Sequence, residues 1–189
     1  MKFSWKSGLD EIMHNARIIE VFIAGEGGVG KTTMVDRFVK GTFNPNTIMT
    51  IGANFAVKNL KMSTGQEVTL QIWDLGGEDR FKFILPRYIK GSEAGIIAFD
   101  STRYSTFRNL DVWLNLIRDN VPDIGLILVG TKADLENGSP DTSAFEEYVK
   151  EKKLNAFFLT SSKSGQNIDS VFQKLVEMFE IKQNSGVKK

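Results

Sequence analysis

Short apolar runs rich in β-branched residues alternate along this chain with stretches whose apolar positions recur every three or four residues. The runs at residues 18–24, 52–62, 68–73, 95–99, 124–129 and 156–159 predict strands. Ser63-Thr64-Gly65-Gln66 has the composition of a tight turn and predicts a hairpin between the second and third runs. Residues 32–40 read as a helix. Leu110, Trp113, Leu114 and Ile117 share one face of a helix over 106–119, and Val171, Leu175, Met178 and Phe179 share one face of the last helix. Alternation of this kind predicts an α/β fold: a mostly parallel six-stranded sheet with helices on both faces. Such sheets bind ligands at the carboxyl ends of their strands. The expected organisation is an N-terminal extension at 1–16, one domain at 17–181 and a short polar tail, read as disordered, at 182–189.

The loop after the first strand carries the strongest chemistry. Gly25, Glu26, Gly27, Gly28, Val29, Gly30, Lys31 and Thr32 form a complete GxxxxGK[ST] pattern, followed by Thr33. Glycines let the backbone wrap phosphates with its N–H groups pointing inward. Lys31 would reach the β- and γ-phosphates, and the Thr32 hydroxyl would hold Mg²⁺. The helix that starts there adds a positive dipole end beneath the anion.

Three further loops extend this reading. Asp74-Leu75-Gly76-Gly77 ends the third strand, where a carboxylate suits a water-mediated Mg²⁺ contact and the Gly77 N–H can meet a γ-phosphate. Thr131-Lys132-Ala133-Asp134 ends the fifth strand. The Asp134 carboxylate can accept from the N1–H and 2-amino group of guanine, a donor pair that adenine lacks, while the Lys132 stem covers the base. A site built for those two donors rejects a base without them by several kcal/mol. Ser161, Ser162 and Lys163 follow the sixth strand, where backbone N–H groups could meet the guanine O6. Thr50 is a candidate second Mg²⁺ ligand, made only when a γ-phosphate is present, and Phe43 a candidate lid over the base.

Composition excludes several other classes. The 189 residues carry a net charge of +1, which gives no reason to expect a nucleic-acid partner. There is no cysteine, so this sequence holds no disulfide, thiolate metal site, cysteine nucleophile or prenyl or palmitoyl anchor. Lys2 also breaks the myristoylation pattern. No apolar run approaches the roughly 18 residues of a membrane span.

With these boxes in order, the chain resembles the Ras superfamily of small GTPases over residues 17–181, and its Rab branch most closely. The Rab likeness lies in Phe43-Asn44-Pro45, in Thr50-Ile51-Gly52-Ala53-Asn54-Phe55, in Leu70-Gln71-Ile72-Trp73-Asp74 and in Arg80-Phe81. The resemblance implies a P-loop NTPase G domain that binds GTP and GDP with Mg²⁺. Two loops, at 42–55 and 75–88, would order around the γ-phosphate. It implies effectors that read Ile51, Phe55, Trp73, Phe81 and Tyr88, together with an exchange factor and a GTPase-activating protein. For Phe55, Trp73 and Tyr88, plain core packing is the competing expectation. A cytoplasmic monomer is expected, peripheral to membranes at most. Three departures stand out. Leu75-Gly76-Gly77-Glu78 replaces Thr-Ala-Gly-Gln and looks more Arf-like, Thr131 replaces Asn, and the prenylated cysteines are missing. Small GTPases without lipid sites also occur in prokaryotes.

The expected catalytic group is Lys31, Thr50, Gly77 and Glu78. In the family a glutamine at the position of Glu78 orients the attacking water. A carboxylate accepts from water, cannot donate to the γ-phosphate and brings negative charge toward an anion. Slow hydrolysis is therefore expected, with Glu78 swung outward; the alternative is that Glu78 merely caps the helix after it. No arginine is evidently placed to act in cis on the leaving group, and bulk at Gly27 would crowd one supplied by a partner. A GTP-binding module with negligible hydrolysis is the main alternative function, and a nucleotide kinase or ATPase is disfavoured by Lys132 and Asp134. In the extension, Trp5, Leu9, Ile12 and Ala16 fall on one helical face. That face suits either a membrane surface or packing on the domain.

Overall fold

A computed structural model describes residues 17–135 and 141–186, the last two of these by backbone alone. The extension at 1–16 and the last three residues of the tail lie outside the described residues. Six strands form one sheet in the order β2-β3-β1-β4-β5-β6. They are β1 Arg17–Ala24, β2 Ala53–Lys61, β3 Glu67–Leu75, β4 Ala94–Asp100, β5 Gly125–Thr131 and β6 Ala156–Leu159. All neighbours pair in parallel except β2 with β3. Those two form the expected hairpin, closed by Gly65 N–H donating to Met62 O at 2.9 Å.

The α-helices among the described residues are α1 Lys31–Lys40, α2 Leu85–Ile89, α3 Tyr104–Arg108, α4 Leu110–Asn120, α5 Ser143–Glu151 and α6 Ile168–Gly186, with short 3-10 helices at Asp79–Ile84 and Ala133–Leu135. Strand side chains alternate faces, and β1 shows where each face goes. Ile19, Val21 and Ile23 pack against Met34, Val35 and Phe38 of α1 and Val171, Phe172 and Leu175 of α6. Phe22 and Ala24 share the opposite core with Leu85 of α2, Phe107 of α3, Leu110, Trp113, Leu114 and Ile117 of α4, and Phe145 of α5. Burial on both faces explains why the parallel strands read as continuous apolar runs. The edge strand β2 instead has no fully buried residue.

Three details depart from the sequence pattern. The helix expected over 106–119 is two helices, broken at Asn109, whose side chain donates to Glu26 Oε1 at 2.6 Å. α5 leaves little periodic signal because Phe145 is its one buried residue. α6 runs on through Gly186 into the segment read as tail, with no proline or earlier glycine to stop it.

The connection after β1 leads towards β3 on one side, while β4 lies on the other. The loop between β1 and α1 thus sits at a topological switch point, the usual ligand crevice of such sheets.

Candidate functional site

At that point the chain turns sharply. Gly25 adopts a φ of 141°, and a methyl there would lie 2.2 Å from the Ala98 carbonyl oxygen of β4. Only glycine fits so close beneath the sheet edge. Gly30 takes the left-handed conformation at the start of α1 and leaves the helix N-terminus bare of any side-chain cap, as an anion site requires.

The loop borders a cleft of about 630 Å³. Of the residues singled out from sequence, Gly27, Gly28, Gly30, Lys31, Thr32, Thr33, Phe43, Thr50, Gly77, Glu78, Thr131, Lys132, Asp134, Ser162 and Lys163 line it. Gly25, Glu26 and Val29 form the back of the loop, and Asp74 and Ser161 lie buried behind the wall.

Lys31 is 5% exposed, and its Nζ donates to Gly25 O at 2.8 Å and Glu26 O at 2.7 Å. Burial lowers its pKa to about 8, against the opposing pull of the Asp74 and Glu26 charges. Beside it three oxygens converge. The Thr32 hydroxyl donates to Asp74 Oδ2 at 2.6 Å and lies 2.6 Å from the Thr50 hydroxyl, which is itself 3.4 Å from Asp74 Oδ2. Burial raises the Asp74 pKa, opposed by the Thr32 hydrogen bond and the Lys31 charge. Asp74 Oδ1 is buried without a hydrogen-bond partner. Hard oxygen donors with a spare carboxylate oxygen fit a small divalent cation such as Mg²⁺.

At the other end of the cleft, Asp134 is aimed by Ser161, whose hydroxyl donates to Asp134 Oδ1 at 2.6 Å. The sequence points only to the backbone of the Ser161 segment, and nothing in it reveals this side-chain hydrogen bond. Thr131 is also more than a tolerated replacement. Its hydroxyl donates to Val29 O, with Phe99 O also within 3.0 Å of it, and ties β5 to the phosphate loop. Lys132, at a φ of 62°, lays its stem along the loop.

Two residues beyond the sequence reading join this corner. Asp100, 1% exposed at the end of β4, pairs with Lys132 Nζ at 2.7 Å and Arg103 Nε at 2.9 Å. Burial would raise its pKa, but hydrogen bonds from Lys132, Thr102 and Arg103 outweigh that and hold it below the usual carboxylate range. Arg103 reaches the Gly27 carbonyl at 3.3 Å and so stands beside the phosphate loop, held to its backbone. Its signal, an arginine three residues beyond a strand-ending aspartate, is too common to be read locally.

Glu78 is turned toward Arg80, whose Nε lies 2.6 Å from Oε2 and whose Nη2 donates to Oε1 at 3.2 Å. Phe55, Trp73 and Tyr88 form one ladder, with ring centroids 4.7 and 4.9 Å apart. Phe55 is 48% and Ile51 80% exposed, so this group is surface as well as packing. The Arg80 guanidinium lies over the Phe81 ring at 4.8 Å. No helix among the described residues is long and apolar enough to cross a membrane.

Comparison with known proteins agrees with this geometry. The Ras family pattern matches residues 20–181. Ras-related protein SEC4 of Saccharomyces cerevisiae is 33% identical over 170 residues, covering 89% of this chain and 78% of that protein. Ras-related protein RABA1b of Arabidopsis thaliana is 34% identical over 161 residues, 84% of this chain and 74% of its own length. Ras-related protein Rab-2B of Dictyostelium discoideum is 33% identical over 174 residues, 90% and 85%. A complete phosphate loop, a hydroxyl–carboxylate corner beside it and relatives of this kind over most of the sequence lead to one conclusion: the chain belongs to the Ras family of small GTPases and is Rab-like.

Proposed function

We propose that this protein is a GTP-binding switch that hydrolyses GTP slowly and signals through its two switch loops. The observation that carries the reading is the meeting of Thr32, Thr50 and Asp74 beside Lys31. Thr50 belongs to a loop otherwise exposed, with Ile48 at 89% and Ile51 at 80%. A hydroxyl from that loop in the phosphate corner means that the loop's position depends on what occupies the corner. Thr32 and Thr50 would hold Mg²⁺ directly and Asp74 through water. The cation would neutralise charge developing on the phosphates. Asp134, aimed by Ser161, would select guanine, with Lys132 against the base face, Phe43 at its edge, and Ser162 and Lys163 at its carbonyl side.

The slow rate rests on Glu78. Water must be oriented by a group that accepts from it and donates to the γ-phosphate, and a carboxylate offers acceptors alone. Here both its oxygens also engage Arg80. That pairing favours a second reading, a GTP-binding module with negligible hydrolysis. The phosphate-facing surface of Gly27 is open, its nearest would-be methyl contact being Gly77 O at 3.8 Å, which leaves room for a partner's arginine. Effectors would read Ile51, Phe55, Trp73, Phe81 and Tyr88. An exchange factor and an activating protein would set the cycle, in vesicle trafficking or signalling as the Rab resemblance implies.

The test is single-turnover GTP hydrolysis with Mg²⁺ by the wild type and by Glu78→Gln. A measurable wild-type rate that rises several-fold in the variant supports the slow switch. An equal rate in both rejects the role given to Glu78. Tight GTP retention with no turnover in either favours the binding module.

A further inference from the structure

Asp100 is the meeting point of two cations, and each continues to the phosphate loop. Arg103 donates through Nε to Asp100 Oδ2 at 2.9 Å and through Nη2 to Gly27 O at 3.3 Å. Lys132 Nζ lies 2.7 Å from the same carboxylate oxygen and donates to Gly28 O at 3.0 Å. The Thr102 backbone N–H and hydroxyl, at 3.1 and 2.7 Å, occupy the other oxygen.

Peptide planarity gives these contacts a consequence. The carbonyl of one residue and the N–H of the next share a rigid plane and point in opposite directions. A donor that holds Gly27 O outward therefore turns the Gly28 N–H inward, and one that holds Gly28 O does the same for the Val29 N–H. Successive inward N–H groups are what a phosphate loop offers its ligand. The second hold belongs to the lysine of the base-binding segment. The first belongs to Arg103, a residue the functional reading above leaves without a task. The Asn109 side chain donates to the carboxylate of the preceding residue, Glu26, at 2.6 Å.

We propose that Arg103 is a positioning residue for nucleotide binding. Braced by Asp100, it sets the Gly27–Gly28 peptide so that the Gly28 N–H faces the phosphates before the nucleotide arrives. The inference rests on the reading of this cleft as a guanine-nucleotide site. Arginine suits the task because its planar fork donates in two fixed directions at once, to the carboxylate and to the carbonyl. Lysine would keep the charge but lose the fork.

The experiment compares wild type, Arg103→Ala and Arg103→Lys as full chains loaded with GDP and Mg²⁺. The readouts are the phosphorus NMR resonances of bound GDP and the dissociation rate of a fluorescent guanine nucleotide, beside single-turnover hydrolysis. Arg103→Ala is expected to shift the β-phosphate resonance and to speed dissociation about tenfold, as loss of one hydrogen bond to a charged group would. Arg103→Lys should fall between the two. Folded Arg103→Ala with wild-type resonances and dissociation would overturn the proposal. So would a lysine variant as impaired as the alanine one with no movement of the phosphorus signals, which would indicate packing alone. Should Arg103→Ala fail to fold, Arg103→Gln keeps much of the stem and carries the same readouts. A wild type that binds GDP but never turns over GTP rejects the hydrolysis reading while the phosphorus data still decide Arg103.

Discussion

Gly77 packs directly against the backbone of the phosphate loop, and a single methyl tests the whole arrangement. A Cβ at Gly77 would lie 2.3 Å from the Glu26 carbonyl carbon and 2.3 Å from the Gly27 nitrogen. Both are backbone atoms of a loop whose carbonyls are held by Lys31 at Gly25 and Glu26 and by Arg103 at Gly27. Carbon contacts relax only near 3.5 Å, so either the loop or the second switch must move by about 1 Å. Misplacement of that size at reacting groups costs on the order of 10²-fold in rate. Gly77→Ala should therefore lose about two orders of magnitude in single-turnover phosphate release. Because the methyl meets a ligand loop and not the core, melting of the protein should change far less. Gly27 supplies the internal control, since its own would-be methyl meets nothing nearer than Gly77 O at 3.8 Å, an ordinary van der Waals contact. Gly27→Ala should bind nucleotide normally, whereas the larger Gly27→Val should bind but resist stimulation by a partner's arginine. Hydrolysis by Gly77→Ala within about threefold of wild type would refute the claimed rigidity of this gap.

Asp134→Ala should weaken guanine-nucleotide binding by at least about 10²-fold, as expected when a site loses the acceptor of a donor pair. Titration with fluorescent GDP checks it, and ATP should not gain what GDP loses. Thr131→Val should lower stability by about 1–3 kcal/mol by leaving the Val29 carbonyl without this donor, measured by denaturant unfolding. Asp100 has a folded pKa below its unfolded value, so its contribution is present above the usual carboxylate range near pH ~3.9 and is lost as pH falls through the lower folded value. Asp100→Asn should accordingly be less stable than wild type at neutral pH, and the gap should narrow below pH ~4. A constant gap across that window would exclude the charged network as its source.

How much of the site was legible locally depends on how each residue reaches it. The loop from Gly25 to Thr32 is contiguous in sequence, so glycine spacing, lysine and hydroxyl appear together with their strand and helix. Asp74, Thr131, Lys132, Asp134 and Ser161 lie at or just beyond the ends of parallel strands of one sheet, and pattern alone carries them to one edge. Asp100 also ends a strand, yet nothing marks it, because its meaning comes from Lys132 and Arg103 arriving on different segments. Asn109 looks like one more position in an amphipathic helix. It stands instead at a break between two helices, with its amide on Glu26, far away in sequence.

Hydrophobic periodicity and the phosphate-loop pattern by themselves determined the layered α/β fold, the hairpin at the edge and the cleft at the strand ends. These follow from local physics: alternation sets faces, and glycine permits turns that other residues resist. Tertiary structure alone decided which polar groups spend their hydrogen bonds on one another. It turned Glu78 to Arg80, set Ser161 beneath Asp134, gave Thr131 its hold on the phosphate loop and brought Arg103 to Gly27. Each of those bonds joins groups on different segments or, for Glu78 and Arg80, at the start of a short 3-10 helix, where distance and angle decide and sequence spacing carries neither.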